Sequence, residues 1–212
     1  MNIMMPYLNN KNDDPSHIPM TKPSITKKEI SYVNDAMRKG WGSNRNNYLE
    51  EFEKRFTQEI DIKYGVPTSS CTGALHLGLS ALGVGAGDEV IVPESTWIAS
   101  VSPIVHLGAK PIFVDILKDS WCIDPSLVEA AITSKTKAIV CVHLYGNLCE
   151  LNQLIKISKK YNIPLIEDSA EAYGSYYLNR HAGTFGTFGV FSFHGSKTIS
   201  TGEGGILVTN NE

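Results

Sequence analysis

Lys197 stands in the run FSFHGSKTISTGEGG, Phe191 to Gly205, with Ser192, His194, Ser196 and Thr198 around it. The run reads as a strand ending at Phe191–Phe193, a polar turn carrying the lysine, and a glycine-rich turn into a second strand, Ile206–Thr209. An amine held in a hydroxyl-rich turn between buried strands can meet a carbonyl compound and form a Schiff base. A lone loop lysine is more often simply solvated, so the reading leans on a second signal upstream. In IEDSAEAYG, Ile166–Gly174, the apolar strand Ile163–Ile166 delivers Glu167 and Asp168 to its C-terminal end. An acid for a pyridine nitrogen and a lysine for an aldehyde are the two protein groups that pyridoxal phosphate most needs.

Other elements must position these groups. Thr68–Gly83 runs from small residues into a helix whose Leu75, Leu79 and Leu82 form a buried stripe. The first amides of such a helix lack partners, and the macrodipole favours an anion there. Beyond it the chain repeats strand, turn and helix. The predicted strands are Val90–Pro93, Pro111–Asp115, Ala138–Leu144 and Ile163–Glu167. The predicted helices are Thr96–Leu107, Pro125–Ile132 and Glu150–Tyr161. Continuous apolar strands alternating with amphipathic helices imply an α/β fold, a mostly parallel sheet with helices on both faces. Ligands collect beyond the C-terminal ends of such strands. Trp97 falls there, as do His143 and Tyr145 in VHLYG, to which no chemical role is assigned. His76, His106 and His181 read as surface or packing residues. HAGTFGTFGVFSF, His181–Phe193, alternates glycine with phenylalanine, a pattern that lets backbones approach while rings fill gaps.

Before these units, Thr26 and Glu29 form a capping box, Ile30, Val33 and Met37 recur on one helical face, and Gly40 closes that helix. A second helix carries Tyr48, Phe52 and Phe56 on one side. Residues 1–17 are rich in Asn, Asp and Pro and read as a disordered lead-in. The 212 residues, 42% hydrophobic and 19% charged, suit one globular domain. A net charge of −3 gives no reason to expect a nucleic acid or a membrane surface as partner. No apolar run approaches the ~20 residues that span a bilayer, and no signal peptide is legible. Cys71, Cys122, Cys141 and Cys149 show no metal-type spacing, so no metal is expected, and reduced thiols in a cytoplasmic protein are the plain reading.

From Ile18 onward the sequence resembles the DegT/DnrJ/EryC1/StrS family of pyridoxal-phosphate sugar aminotransferases. PSIT, GDEVIVP, VHLYG and SFHGSKTISTGEGG are most similar to its perosamine-synthase-like members. The resemblance implies a fold-type-I PLP-dependent transferase large domain over 18–212, with the family's smaller C-terminal domain absent. It implies Lys197 as the catalytic lysine, Asp168 at the ring nitrogen, and Trp97 stacked on the pyridine ring. Thr72 and Gly73 fall in the turn that holds the cofactor phosphate, with Ser192 donating to the same phosphate. Glu171 falls beside the ring near its phenolic oxygen, and Ala170 leaves room for the ring. Cys71 stands where members more often have glycine, and Trp41–Asn44 falls near the substrate mouth. A branch that replaces the lysine by histidine is a dehydratase, and Lys197 argues against it. The implied reaction moves an amino group, usually from glutamate, to a nucleotide-linked 4-keto-6-deoxy sugar, in a complete member that forms a homodimer. The alternative is a truncated, inactive remnant that needs a missing C-terminal half.

Overall fold

In the computed structural model, residues 23–212 are described; the lead-in read over 1–17 lies outside them. Two helices come first, α1 (Lys27–Lys39) and α2 (Asn47–Glu59). The expected capping box is present, with Thr26 accepting from Lys28 N and Glu29 accepting from Thr26 N. The apolar face of α1 is not buried, since Ile30, Val33 and Met37 are all exposed. By contrast, α2 seats Phe56 against Phe191 and Phe193, with ring centroids 5.2 and 5.6 Å apart.

The remainder builds a seven-stranded sheet in the order β1-β9-β8-β5-β4-β2-β3. Its strands are β1 (Tyr64–Thr68), β2 (Glu89–Pro93), β3 (Lys110–Val114), β4 (Thr136–Val142), β5 (Leu165–Asp168), β8 (Phe188–Ser192) and β9 (Gly205–Thr209). The pairs from β3 through β8 are parallel, whereas β9 runs antiparallel to both its neighbours, β8 and β1. A two-residue hairpin, β6 (Tyr176–Tyr177) and β7 (Arg180–His181), forms a separate small sheet. The edge strand β1 has no counterpart among the predicted strands. Gly65 and Pro67 lower its strand signal, and a proline is tolerated there because, among the described residues, no strand pairs with the other side of β1.

Helices cover both faces. On one face α3 (Cys71–Ala81) and α4 (Ser102–His106) pack Leu75, Leu79 and Ile104 onto Val90, Val140, Ile166 and Val190. On the other, α5 (Pro125–Ala130) and α6 (Leu151–Tyr161) pack Val128, Leu151 and Leu154 onto Ile91, Ile139 and Leu165. Each fully buried leucine contributes about 1.5–3 kcal/mol. The continuous helix expected over Thr96–Leu107 is broken into a 3₁₀ turn, Ile98–Ser100, and the short α4. Pro103 explains the break. It has no N–H to donate back into a preceding turn, so it fits the first turn of a new helix instead.

Along β5 the alternation is clean. Leu165 and Glu167 face the α5/α6 side, while Ile166 and Asp168 face the α3/α4 side. Glu167 is wholly buried and accepts from His143 Nε2 and from the amides of Gly183, Phe185 and Gly186. It pins the 183–186 loop and takes no part in the cavity described next. Of the two adjacent carboxylates, Asp168 alone faces the site.

Candidate active site

All the parallel strands point their C-terminal ends to one rim, and the antiparallel β9 starts there. A cavity of about 640 Å³ opens at this rim. Its wall is assembled from separate connections: Ser70–Thr72 after β1, Ser95–Ser100 after β2, His143–Tyr145 after β4, Asp168–Glu171 after β5, and Ser192–Lys197 after β8.

Lys197 lies on the loop between β8 and β9. The loop is closed by Phe193 N donating to Gly204 O and Thr201 N to Phe193 O, and the lysine's own amide donates to His194 O. Its ammonium Nζ lies 2.9 Å from Glu171 Oε1. The other oxygen of Glu171 accepts from the amide of Tyr145 at 2.8 Å. Tyr145 reaches that position with φ at 54°, a left-handed conformation that is uncommon for a bulky residue. Burial pushes the Glu171 carboxyl up, but donation from Lys197 and Tyr145 outweighs it and holds the carboxyl below its ordinary value.

Asp168 is 4% exposed. Its Oδ2 accepts from Ser100 Oγ at 2.7 Å and its Oδ1 from Ala170 N at 3.1 Å. Burial pushes this carboxyl up, against the pull of Ser100 and Ala170. Trp97 is 76% exposed and stands at the cavity mouth with Trp121 and Tyr145. Ser192, Ala170 and Thr72 all line the wall.

Gly73 behaves differently from Thr72. Its amide donates to the side chain of Ser70, the N-cap of α3, and the residue faces a shallow depression outside the cavity. The amides of Cys71 and Thr72 are then the donors this helix end presents. Trp41–Asn44 does not line the cavity; the Trp41 indole donates to Met37 O. Sequence reasoning missed Ser100, Thr96 and Trp121. Ser100 and Thr96 are small hydroxyls in a stretch whose helical periodicity says nothing of a site, and Trp121 sits at a turn with φ at 59°, outside any periodic pattern. Among the described residues no group of three or more His, Cys, Asp or Glu could hold a metal, and no helix is long and apolar enough to cross a membrane.

A sequence model of the DegT/DnrJ/EryC1/StrS aminotransferase family matches residues 23–212, which include every residue of this cavity. The chain belongs to this family. Two curated relatives are GDP-perosamine synthases. The one from Escherichia coli O157:H7 is 49% identical over 92% of this chain and 54% of its own length. The one from Vibrio cholerae is 43% identical over 92% of this chain and 53% of its own. Among solved structures, the PLP form of the Streptococcus pneumoniae sugar aminotransferase Spr1654 superposes with a TM-score of 0.85. It is 38% identical, with 92% of this chain and 53% of that one covered. The chain thus spans about half the length of the curated relatives it matches. The Spr1654 structure shares the fold observed here, an α/β large domain with a mostly parallel sheet.

Proposed function

We propose that this chain is the cofactor-binding half of a pyridoxal-phosphate aminotransferase that moves an amino group from glutamate to a GDP-linked 4-keto-6-deoxy sugar. One observation carries the reading: the Lys197 amine and the buried Asp168 carboxylate open onto one cavity from the ends of different strands. The donor set fits a small anionic heteroaromatic aldehyde. It offers an amine, an acid from a different strand end, an aromatic face at Trp97, and helix-end amides with the Ser192 hydroxyl for a phosphate. The names of the relatives support the sugar-nucleotide class and the nucleotide.

Pyridoxal phosphate, when bound, supplies an aldehyde and a protonatable ring that withdraws electrons from the carbon being deprotonated. The roles of the chain follow from position. Asp168 holds a proton on the ring nitrogen by presenting a negative charge in a dry wall. Trp97 covers the ring and excludes water from that face. Ser192 and the amides of Cys71 and Thr72 bind the phosphate, and Gly73 leaves room for the Ser70 cap. Glu171 would hold Lys197 Nζ in place at the cavity wall, where a carbonyl group would meet it. Lys197 then carries a proton to and from the substrate carbon as general base and acid. The remaining half of the relatives' length and a second subunit complete the sugar-nucleotide site.

The test is uptake of the cofactor by the purified chain, alone and with the missing half supplied. Absorbance near that of a lysine–pyridoxal adduct, fixed by borohydride and mapped to Lys197, is the expected result. A label on another lysine, or no uptake with the second half present, refutes the reading. Uptake without turnover in the chain alone, with turnover once the second half is supplied, would instead support the truncated remnant that needs that half.

A further inference from the structure

The turn that brings Trp97 to the cavity also reaches the buried carboxylate. Thr96 Oγ1 lies 2.8 Å from Ser100 Oγ, and Ser100 Oγ lies 2.7 Å from Asp168 Oδ2. Ser100 is 2% exposed, so water does not compete for its hydroxyl. A serine hydroxyl has one proton, and an ionised carboxylate can only accept. With Asp168 ionised, the Ser100 proton is committed to Oδ2. The Thr96–Ser100 contact is then a bond that Thr96 donates. The chain of hydroxyls is therefore directed, from Thr96 through Ser100 to Asp168.

No other side chain among the described residues hydrogen-bonds Asp168. The groups facing it from neighbouring elements are the Cys71 thiol of α3, His143 after β4 and Lys197 of the β8–β9 loop. His143 Nδ1 accepts from the amide of Cys149, which leaves Nε2 to donate to Glu167. Lys197 is engaged by Glu171. Both are turned to other acceptors, and the thiol is buried. Opposition to the cost of a buried charge at Asp168 falls to the Ser100 hydroxyl and the Ala170 amide, one on each oxygen. Two donors on opposite oxygens also fix the plane of the carboxyl, and with it the lone pairs left for a ligand.

We infer that Ser100 is a positioning residue: its hydroxyl, oriented by Thr96, fixes the charge and the plane of Asp168. The inference deepens the reading of Asp168 as the ring-nitrogen partner and rests on it for its relevance to amino transfer. It also joins two functions in one short turn. Trp97, between the two hydroxyls in sequence, covers a ring face, while its neighbours hold the acid that would meet the ring nitrogen.

The test is ¹³C NMR of the 212-residue chain without cofactor, labelled at the aspartate carboxyls, with the Asp168 signal assigned by its loss in Asp168→Asn. Ser100→Ala should raise the titration midpoint of Asp168 by about one to two pH units, the size of a hydrogen bond to a charged group. Thr96→Val should raise it by less, because it removes only the polarising donor. Ser100→Thr, which keeps the hydroxyl, should restore the wild-type midpoint. A Ser100 that merely packs would lower the melting temperature and leave the midpoint in place, and that result overturns the inference. Should Ser100→Ala fail to fold, an unmoved midpoint in Thr96→Val overturns the directed chain. Pyridoxal phosphate titration of the same proteins separates the two claims. A moved midpoint in a chain that takes up no cofactor even with the missing half supplied sustains the hydroxyl chain and refutes the cofactor reading of the cavity.

Discussion

Adding one methyl group at Gly205 should damage both the fold and the phosphate end of the cavity. Gly205 opens β9 and is buried between β1 and β8, paired with Thr68 on one side and Ser192 on the other. A Cβ placed there would lie 2.4 Å from Cys71 N, 2.5 Å from Ser70 C and 2.7 Å from Ser70 O. All three are backbone atoms, so no side chain can swing aside. Either β9 bends out of the sheet or the start of α3 is pushed away. Overpacking of this kind costs about 1–3 kcal/mol. For a chain of this size each kcal/mol lowers the melting temperature by about 2–4 °C, so Gly205→Ala should melt roughly 2–12 °C below wild type. The displaced amides are those assigned to the phosphate, so affinity for pyridoxal phosphate should also fall, by about tenfold or more. Circular dichroism melts and a fluorescence titration measure the two effects. Gly195→Ala is the internal control. The nearest atom to its added Cβ is 3.9 Å away, and its stability should stay within about 0.5 kcal/mol of wild type. A Gly205→Ala protein with wild-type melting and wild-type affinity would refute the close-approach argument.

Glu171→Gln should lose up to ~1 kcal/mol at neutral pH, since a partly exposed ion pair contributes little more. Because the Glu171 carboxyl is held below its ordinary 4.5, the difference from wild type should persist above that pH and close as pH falls through the folded value, as read by urea melts at several pH values. Asp168 has the opposite sign. Its carboxyl is pushed above the ordinary 3.8 by burial, so the native state binds the proton more tightly than the unfolded one. The cofactor-free Asp168→Asn protein should therefore gain stability relative to wild type as pH rises from the ordinary 3.8 through the folded value; a flat difference would show that the charge is not the issue. In a completed enzyme the same change should leave cofactor binding in place and slow amino transfer by ~10²–10⁴, and near-normal turnover would mean that another carboxylate serves the ring nitrogen.

Much of the site could be read from residue order, for reasons that differ by residue. Lys197 and Asp168 end or follow apolar strands, and such strands announce themselves by composition alone. Period-two alternation puts Glu167 and Asp168 on opposite faces, yet which face holds the cavity depends on helices far away in sequence. Ser100 could not be read. Its hydroxyl lies in a stretch with helical periodicity, and its partner on β5 is brought near only by the parallel pairing of β2, β4 and β5. The helix expected over Thr96–Leu107 is interrupted because Pro103, whatever the periodicity around it, starts a new helix. On α1 the capping box was legible since it is local, whereas the exposure of Ile30, Val33 and Met37 is a tertiary matter that a hydrophobic stripe cannot reveal.

The pairing of β1 with β9 has a consequence for the order in which the site comes into being. On a ribosome, Tyr64–Thr68 emerges long before Gly205–Thr209, its hydrogen-bonding partner across the sheet. Everything between can zip up by parallel pairing of β2, β3, β4, β5 and β8 while β1 has no strand partner among the described residues. Insertion of β9 is what docks β1, clamps the Ser70–Cys71 turn under Gly205, and closes the loop that carries Lys197. Such a long sequence separation makes this step slow compared with the local ones. The phosphate end and the amine end of the cavity are therefore completed in one event. A small molecule that touches both would act as a staple on the final strand, favouring the finished sheet by mass action before it takes part in any reaction.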